Sequence, residues 1–380
     1  MGEAFKVKSA SDIHQGLPPL ETENNNSNNK TTSFFEFWPS QVIYIPVVLQ
    51  WLWLSLRYRS LSLPLIANPS IHLSGMVGES KSEVLKLAGK QALKHIAPYI
   101  TLQNDSAQGI DARLQSALNG MQQSNLSFPI IAKPDIGCRG AGVQIINDAQ
   151  ALKRYISVFP DKAKYLLQHK VQYEAEAGIF YIREPGQKKG QIFSITLKYM
   201  PYVIGNGSLK LAQLIENDPR AKKIADVYLK RHKDELDKII PNNIAFRLSF
   251  AGSHCKGSIF RNGNQYITST LCEKFDDITH DITEFYYGRF DVRFASIDKL
   301  MLGEDFEILE VNGASSEATH IWDRKTKLYD VYKTLFYQYK TLFNIGHLNR
   351  KQGHKTPSIL LLLKAWKKES RLVKQYPETD

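Results

Sequence analysis

Two stretches in the last third of the chain constrain its fold more than any other feature. In Arg289-Phe290-Asp291-Val292-Arg293 charged and apolar residues alternate, and in Glu310-Val311-Asn312 a carboxylate and an amide flank one valine. Side chains two residues apart on a β-strand share a face. Each stretch is therefore expected to be a strand with one apolar face and one polar face, and Val311 should turn into the core. If the two strands are neighbours, Asp291, Glu310 and Asn312 meet on one surface. Carboxylate and amide oxygens are what magnesium takes, with waters and substrate phosphates completing its octahedron. The competing reading is an exposed sheet face with solvated charges. It gives no reason for two carboxylates and an asparagine inside otherwise apolar strands.

A second constellation lies upstream. Pro129-Ile130-Ile131-Ala132-Lys133 reads as a short buried strand and Val143-Gln144-Ile145-Ile146 as another, with Gly137, Arg139, Gly140 and Gly142 in the loop between them. Glycines let the backbone N–H groups of such a loop approach phosphate oxygens closely. Lys133 can add a point charge, and Arg139 at the tip can close over the same phosphates. Ordinary hairpin tips share this composition, so the loop alone does not establish a nucleotide site. Farther upstream, Gly75-Met76-Val77-Gly78-Glu79-Ser80-Lys81-Ser82 superficially resembles a phosphate loop, but the spacing G-x-x-x-x-G-K-[ST] is not satisfied. It reads as a loop entering a helix, with Ser80 or Ser82 as N-cap and helical apolar spacing from Val84 to Leu93.

Further helices are expected over Ala107 to Met121 and after Asp148. Further strands are expected at 165–168, 178–182, 192–197, 245–250, 257–260 and 306–311. Strands and helices alternate without internal repeats, so the fold class is α+β or α/β. With 380 residues, 43% of them hydrophobic, the chain is too large for one compact core, and two or three subdomains are expected. Residues up to Thr32 are polar, with an Asn-rich run at 24–29, and read as a disordered leader without a secretion signal. From Phe34 to Leu56 the chain is apolar and aromatic, and Arg57 and Arg59 follow. Glu36, Pro39, Gln41, Pro46 and Gln50 interrupt the run. A buried core helix, a helix lying in a membrane interface and a true membrane span all remain open.

The three cysteines, Cys138, Cys255 and Cys272, form no paired framework and no C-x-x-C. A disulfide scaffold and a structural zinc site are therefore not expected, and a reducing cytoplasmic setting fits. The net charge of +11 favours anionic partners such as nucleotides or an acidic membrane surface. In Ser253-His254-Cys255 neighbouring residues on a strand would face opposite ways, which disfavours a Cys/His dyad; His254 could still lie near a substrate.

The strand–Lys133–glycine-loop–strand unit, then Gly288-Arg289-x-Asp291-Val292, then Glu310-Val311-Asn312, resembles the ATP-grasp superfamily. The likeness is greatest to D-alanine–D-alanine ligases and cyanophycin-synthetase-like carboxylate–amine ligases, over roughly residues 80 to 345. The resemblance implies an α+β fold of two subdomains gripping ATP between antiparallel sheets. It implies that Lys133 contacts the ATP phosphates and that Gly137, Gly140 and Gly142 form a mobile lid over them, with Arg139 at its tip. Asp291, Glu310 and Asn312 would hold two magnesium ions, or manganese. Arg289 would steady the transferred phosphoryl group, so Arg289 and Lys133 are the catalytic candidates. Gln168 to Val171 would meet adenine, Glu176 (or its rival Glu174) the ribose, and Lys198 a phosphate or the base. Ser315 and Ser316 follow the metal strand where such ligases hold the substrate carboxylate. Arg247, His254 and Arg293 complete the substrate candidates.

The expected organisation is a leader at 1–33, an aromatic N-terminal region at 34–79, an ATP-grasp domain at 80–345 with its lid at about 92–165, and a basic tail at 346–380. The expected activity is ATP- and magnesium-dependent joining of a small-molecule or peptide carboxylate to an amine through an acyl phosphate. The alternatives are a kinase that stops after phosphorylation and a basic protein of membrane surfaces or nucleic acid. A peripheral membrane contact through 34–59 and a homodimer are compatible with the sequence; nothing in it specifies a nucleic acid.

Overall fold

A computed structural model describes residues 7–9, 12–20, 35, 38–138, 140–250, 252 and 256–379. In chain order the elements that position the cleft begin with β1 (Val7–Ser9) and α1 (Ser40–Tyr58), followed by α2 (Lys81–Leu85) and α3 (Lys90–Leu93). Then come β2 (Tyr99–Gln103), α4 (Ile110–Gln123), β3 (Ile130–Pro134), β4 (Gln144–Ile146), α5 (Ala149–Val158) and β5 (Lys164–His169). The chain continues through β6 (Ala175–Ile182), β7 (Gln191–Tyr199), β8 (Tyr202–Ile204), α6 (Leu211–Asn217), α7 (Ala225–Arg231), β9 (Ile244–Arg247) and β10 (Ile259–Asn262). It closes with α8 (Ser269–His280), β11 (Tyr287–Phe294), α9 (Ile297–Met301), β12 (Phe306–Asn312), α10 (Leu328–Lys351) and α11 (Ile359–Val373).

The fold is α+β, and its sheets are antiparallel. A five-stranded sheet runs β10-β7-β6-β11-β12, a four-stranded sheet β2-β5-β3-β4, and a small sheet β1-β9-β8. In the five-stranded sheet Phe290, Val292, Phe294, Ile308 and Val311 are buried against Leu271, Phe275 and Ile278 of α8 and against Val84, Leu85 and Ala92. That is the apolar face which the alternation predicts. On the other face Asp291 lies opposite Glu310, Arg289 opposite Asn312, and Arg293 opposite Glu176. Glu176 in turn lies opposite Lys198. Gly178 sits beneath this row, where a Cβ would stand 2.9 Å from Cδ of Arg289. The four-stranded sheet has its own core with α4 and α5, built on Ile130, Ala132, Leu152, Tyr155, Ile156 and Leu167.

Several expectations are corrected. The leader is not wholly disordered. Val7–Ser9 pairs with β9, and Leu17 and Leu20 pack on the main core. Composition misses this because an edge strand draws its order from the sheet it joins. The expected helix from Val84 to Leu93 is two short helices. The Asp281 carboxylate accepts hydrogen bonds from the Gln91 and Ala92 N–H groups, and Gly89 N–H donates to the Asp281 carbonyl, so a new helix starts at Lys90. The strand expected at 245–250 ends at Arg247, and that expected at 257–260 is shifted to Ile259–Asn262. Of the three readings of the aromatic segment, α1 is partly the first. Ile43, Val47 and Leu54 are buried, the last two in clusters with Val331, Leu335 and Phe343 of α10, and Trp51 meets Phe343 edge-on at 5.1 Å. Among the described residues no helix is long and apolar enough to cross a membrane.

Candidate active site

The four- and five-stranded sheets face each other across a cleft of about 880 Å³. From one side, the end of β3 sends in Lys133, whose Nζ donates to the Leu309 carbonyl on β12 at 2.9 Å. Lys133 is buried, and that burial lowers its pKa to about 8, against the pull of Glu310 and Asp291. An anion entering the cleft would favour its charged form further.

From the other side, β11 and β12 present the polar row. Arg289 grips Asp291 with both ends of its guanidinium, Nε to Oδ1 at 2.9 Å and Nη2 to Oδ2 at 3.2 Å. Lys198 Nζ lies 2.9 Å from the same Oδ1 and 3.0 Å from Glu176. Burial pushes the Asp291 carboxyl up, but Arg289 and Lys198 outweigh it and hold the group well below the usual carboxylate range. Asn312 Nδ2 lies 3.3 Å from Asp291 Oδ2. Glu310 is held more loosely, with Lys81 Nζ at 3.3 Å.

Glu79 and Lys81 are the residues that sequence reasoning missed. Both lie in the stretch read as a plain helix entry. Ser80 does cap α2, accepting from Glu83 N–H, and Asp135 at the end of β3 accepts from Ser80 Oγ and Ser82 N–H. This docking turns Lys81 and Glu79 into the cleft. Lys81 donates to the Gly137 carbonyl at 2.8 Å and so ties the glycine loop to Glu310. Glu79 accepts from Gly313 N–H at 3.0 Å, and its burial raises its pKa to about 8. The available signal was the pair of charged residues immediately after Gly78. It lacked force because only tertiary contact buries them.

Gly137, Gly140, Val171, Ser315 and Ser316 also line the cleft, whereas Gly142 does not join the lining and instead packs against Pro134 and Tyr376. So does Gln168, whose amide is committed to the Ala97 carbonyl at 3.2 Å. Arg293 lines it too, and its Nη1 donates to the Tyr173 carbonyl at 3.2 Å, bracing the segment after β5. Glu176 reaches the cleft, but its rival Glu174 does not line it: that carboxylate holds Lys8 and Arg247. Arg247 is thereby drawn to the small sheet and to Tyr202, and it does not join the lining. Arg139 and His254 fall outside the described residues.

The basic tail is not a separate appendage. Tyr376 donates to the Ile136 carbonyl at 2.5 Å and stacks on Phe159 with centroids 5.4 Å apart. Thr379 Oγ1 donates to the Gly140 carbonyl at 2.8 Å and accepts from Gly142 N–H at 3.1 Å. Glu369 on α11 accepts from Gly78 N–H at 2.7 Å. The C-terminus thus clasps the glycine loop at several points. Tyr376→Ala removes one hydrogen bond and one ring stack, and it should speed amide hydrogen exchange over 136–142 by about tenfold. Unchanged exchange there would show that the other contacts, those of Thr379 and Lys81 among them, hold the loop without Tyr376.

No family model and no curated protein matches the chain. Solved structures similar to it include a bifunctional glutathione synthetase of Pasteurella multocida, at 15% identity and a TM-score of 0.35, covering 68% of this chain. The chain spans 36% of that protein's length. A D-alanine–D-alanine ligase of Bacillus anthracis is 14% identical with a TM-score of 0.43, covering 74% of this chain and 72% of its own. A D-Ala:D-Ser ligase of Enterococcus faecalis is 10% identical with a TM-score of 0.41, covering 73% and 64%. At likenesses of this size the functional reading rests on the cleft's own geometry.

Proposed function

We propose that the chain is an ATP-dependent carboxylate–amine ligase of the ATP-grasp type. The observation that carries the reading is the convergence of Lys133 and the glycine loop from one sheet on Asp291, Glu310 and Asn312 from the other. Such a cleft offers cations and backbone N–H groups to phosphates, facing oxygen donors that suit a metal.

Magnesium fits the donor set. Two carboxylates and an amide stand together on facing residues of β11 and β12. There is no cluster of three or more His, Cys, Asp or Glu among the described residues, and magnesium commonly keeps waters and phosphates rather than an all-protein cage. Asp291, Glu310 and Asn312 would hold it, and when bound it neutralises charge on the transferred phosphoryl group.

The protein's own groups account for the rest. Lys133 and Lys81 bind phosphate oxygens, and the glycine loop, held by the tail, covers them and excludes water. A substrate carboxylate oxygen attacks the γ-phosphorus as the bond to ADP breaks. An amine nitrogen then attacks the acyl carbon, phosphate leaves, and the nitrogen gives up a proton. Glu79, with a pKa near 8 in the same cleft, takes that proton in its ionised form, whose share grows as pH rises toward 8. Arg289, beside Asp291, is placed to steady the charge on the transferred group.

The test is ADP release with mixtures of small acids and amino acids, with product mass determined. Turnover that requires both an acid and an amine, with phosphate released, is the expected result. A phosphorylated substrate that persists would show a kinase instead, and no nucleotide turnover with any mixture would end the reading.

A further inference from the structure

The α1 helix has two apolar faces, and α10 covers only one. Opposite Ile43, Val47 and Leu54 lie Ile45, Val48, Leu49, Leu52, Trp53 and Leu56, all exposed, with Leu49 at 62%, Trp53 at 55% and Leu56 at 79%. At 100° per residue these six span one continuous side of the helix. No charged residue stands between Ser40 and Leu56. The patch is on the order of several hundred Å², as large as the largest apolar patch expected on a soluble monomer. Residues 21–33 contain no apolar side chain with which to cover it, and Phe34 and Phe37, nearer the helix, lie outside the described residues.

The ends of the strip indicate what does cover it. Arg57 and Arg59 follow at its C-terminal end, and the Arg57 guanidinium lies 5.5 Å over the Trp53 ring. An uncharged aliphatic strip with tryptophan and arginine at its margin matches the depth profile of a bilayer interface. Aliphatic groups enter the acyl boundary, the indole sits at headgroup level, and guanidinium groups meet lipid phosphates. A protein partner that buried this strip would leave the two arginines needing acidic residues of its own, whereas an anionic leaflet supplies the charge everywhere. We infer that α1 lies flat on an anionic phospholipid surface through Ile45, Leu49, Leu52, Trp53 and Leu56, with Arg57 and Arg59 on headgroup phosphates. The helix rests on the membrane and does not cross it, because its other face belongs to α10. This goes beyond the ligase reading and does not depend on it.

The test is flotation of the full chain with vesicles of phosphatidylcholine alone and of phosphatidylcholine with about a quarter phosphatidylglycerol. The wild-type protein should float with the anionic vesicles, less with the neutral ones, and less as salt rises. Leu49→Glu/Leu52→Glu changes only exposed positions. It should keep the circular dichroism and melting temperature of the wild type while lowering the bound fraction by at least about tenfold. Trp53→Phe should reduce quenching by bromine-labelled lipid. Absence of flotation, or flotation indifferent to the glutamates, overturns the proposal. So does a wild-type dimer, seen by light scattering, that the two glutamates split into monomers, because the strip would then be covered by a second copy of the chain.

Discussion

Asp291→Ala is expected to lower ATP turnover by about a hundred- to a thousandfold and to destabilise the protein at the same time. The two effects have different origins. Turnover falls because one of the two carboxylates facing the phosphate site is gone. Stability falls because Arg289 and Lys198 are both paired with Asp291. Removing their shared counter-ion leaves buried cations facing one another, at a cost of about 3–5 kcal/mol for a broken buried pair. Glu176 stays beside Lys198 and limits the damage. Glu310→Gln should behave differently. The Glu310 side chain is 27% exposed and pairs with Lys81 at 3.3 Å. It should lose turnover to a similar extent with little change in melting temperature. ADP release and thermal unfolding on both variants check the contrast. If Asp291→Ala kept turnover within tenfold of wild type, Asp291 would be a structural ion-pair partner and no more.

Glu79→Gln should raise stability at neutral pH while lowering turnover. Glu79 is half-buried, and loss of solvation around its carboxyl raises its pKa from 4.5 to about 8. The folded state therefore keeps a proton that the unfolded state releases. The stability this group contributes is fully present below about pH 4.5 and is lost as pH rises to about 8. Glutamine resembles the protonated form and can still accept from Gly313 N–H. At pH 7 the variant should gain about 3 kcal/mol, and at pH 5 less than about 1 kcal/mol. Turnover should fall if Glu79 takes the amine proton. Unfolding curves at the two pH values provide the check. An equal gain at both would mean that the carboxyl's pKa is not raised; if Glu79 does take the amine proton, turnover should also climb as pH rises toward 8, where the carboxyl ionises.

The polar row on β11 and β12 was legible because strand periodicity is local. Any strand containing Arg289-Phe290-Asp291-Val292-Arg293 must separate the charges from Phe290 and Val292. Lys133 and its glycine loop were legible for the same kind of reason, since a hairpin is set by residues close in sequence. The choice between Glu176 and Glu174 was not. Both precede or begin the same strand, and only the register of β6 against β7 and β11 puts Glu176 beside Lys198 and Arg293 while Arg247 and Lys8 take Glu174. The sequence marks 346–380 only as a basic tail, because nothing local announces that Tyr376 and Thr379 will meet the loop at 136–142.

By itself, then, the sequence determined which side chains share a face: the apolar and charged sides of the paired strands, the glycine hinge after Lys133, and the uncharged run of α1. The tertiary structure alone decided which faces meet. It brought Glu79 to Gly313, which lies 234 residues away along the chain, laid the C-terminus over the glycine loop, and covered one side of α1 while leaving the other bare. The reason is physical. Backbone stereochemistry fixes side-chain direction within a few residues, whereas distant contacts depend on register and docking that no short stretch of chain encodes.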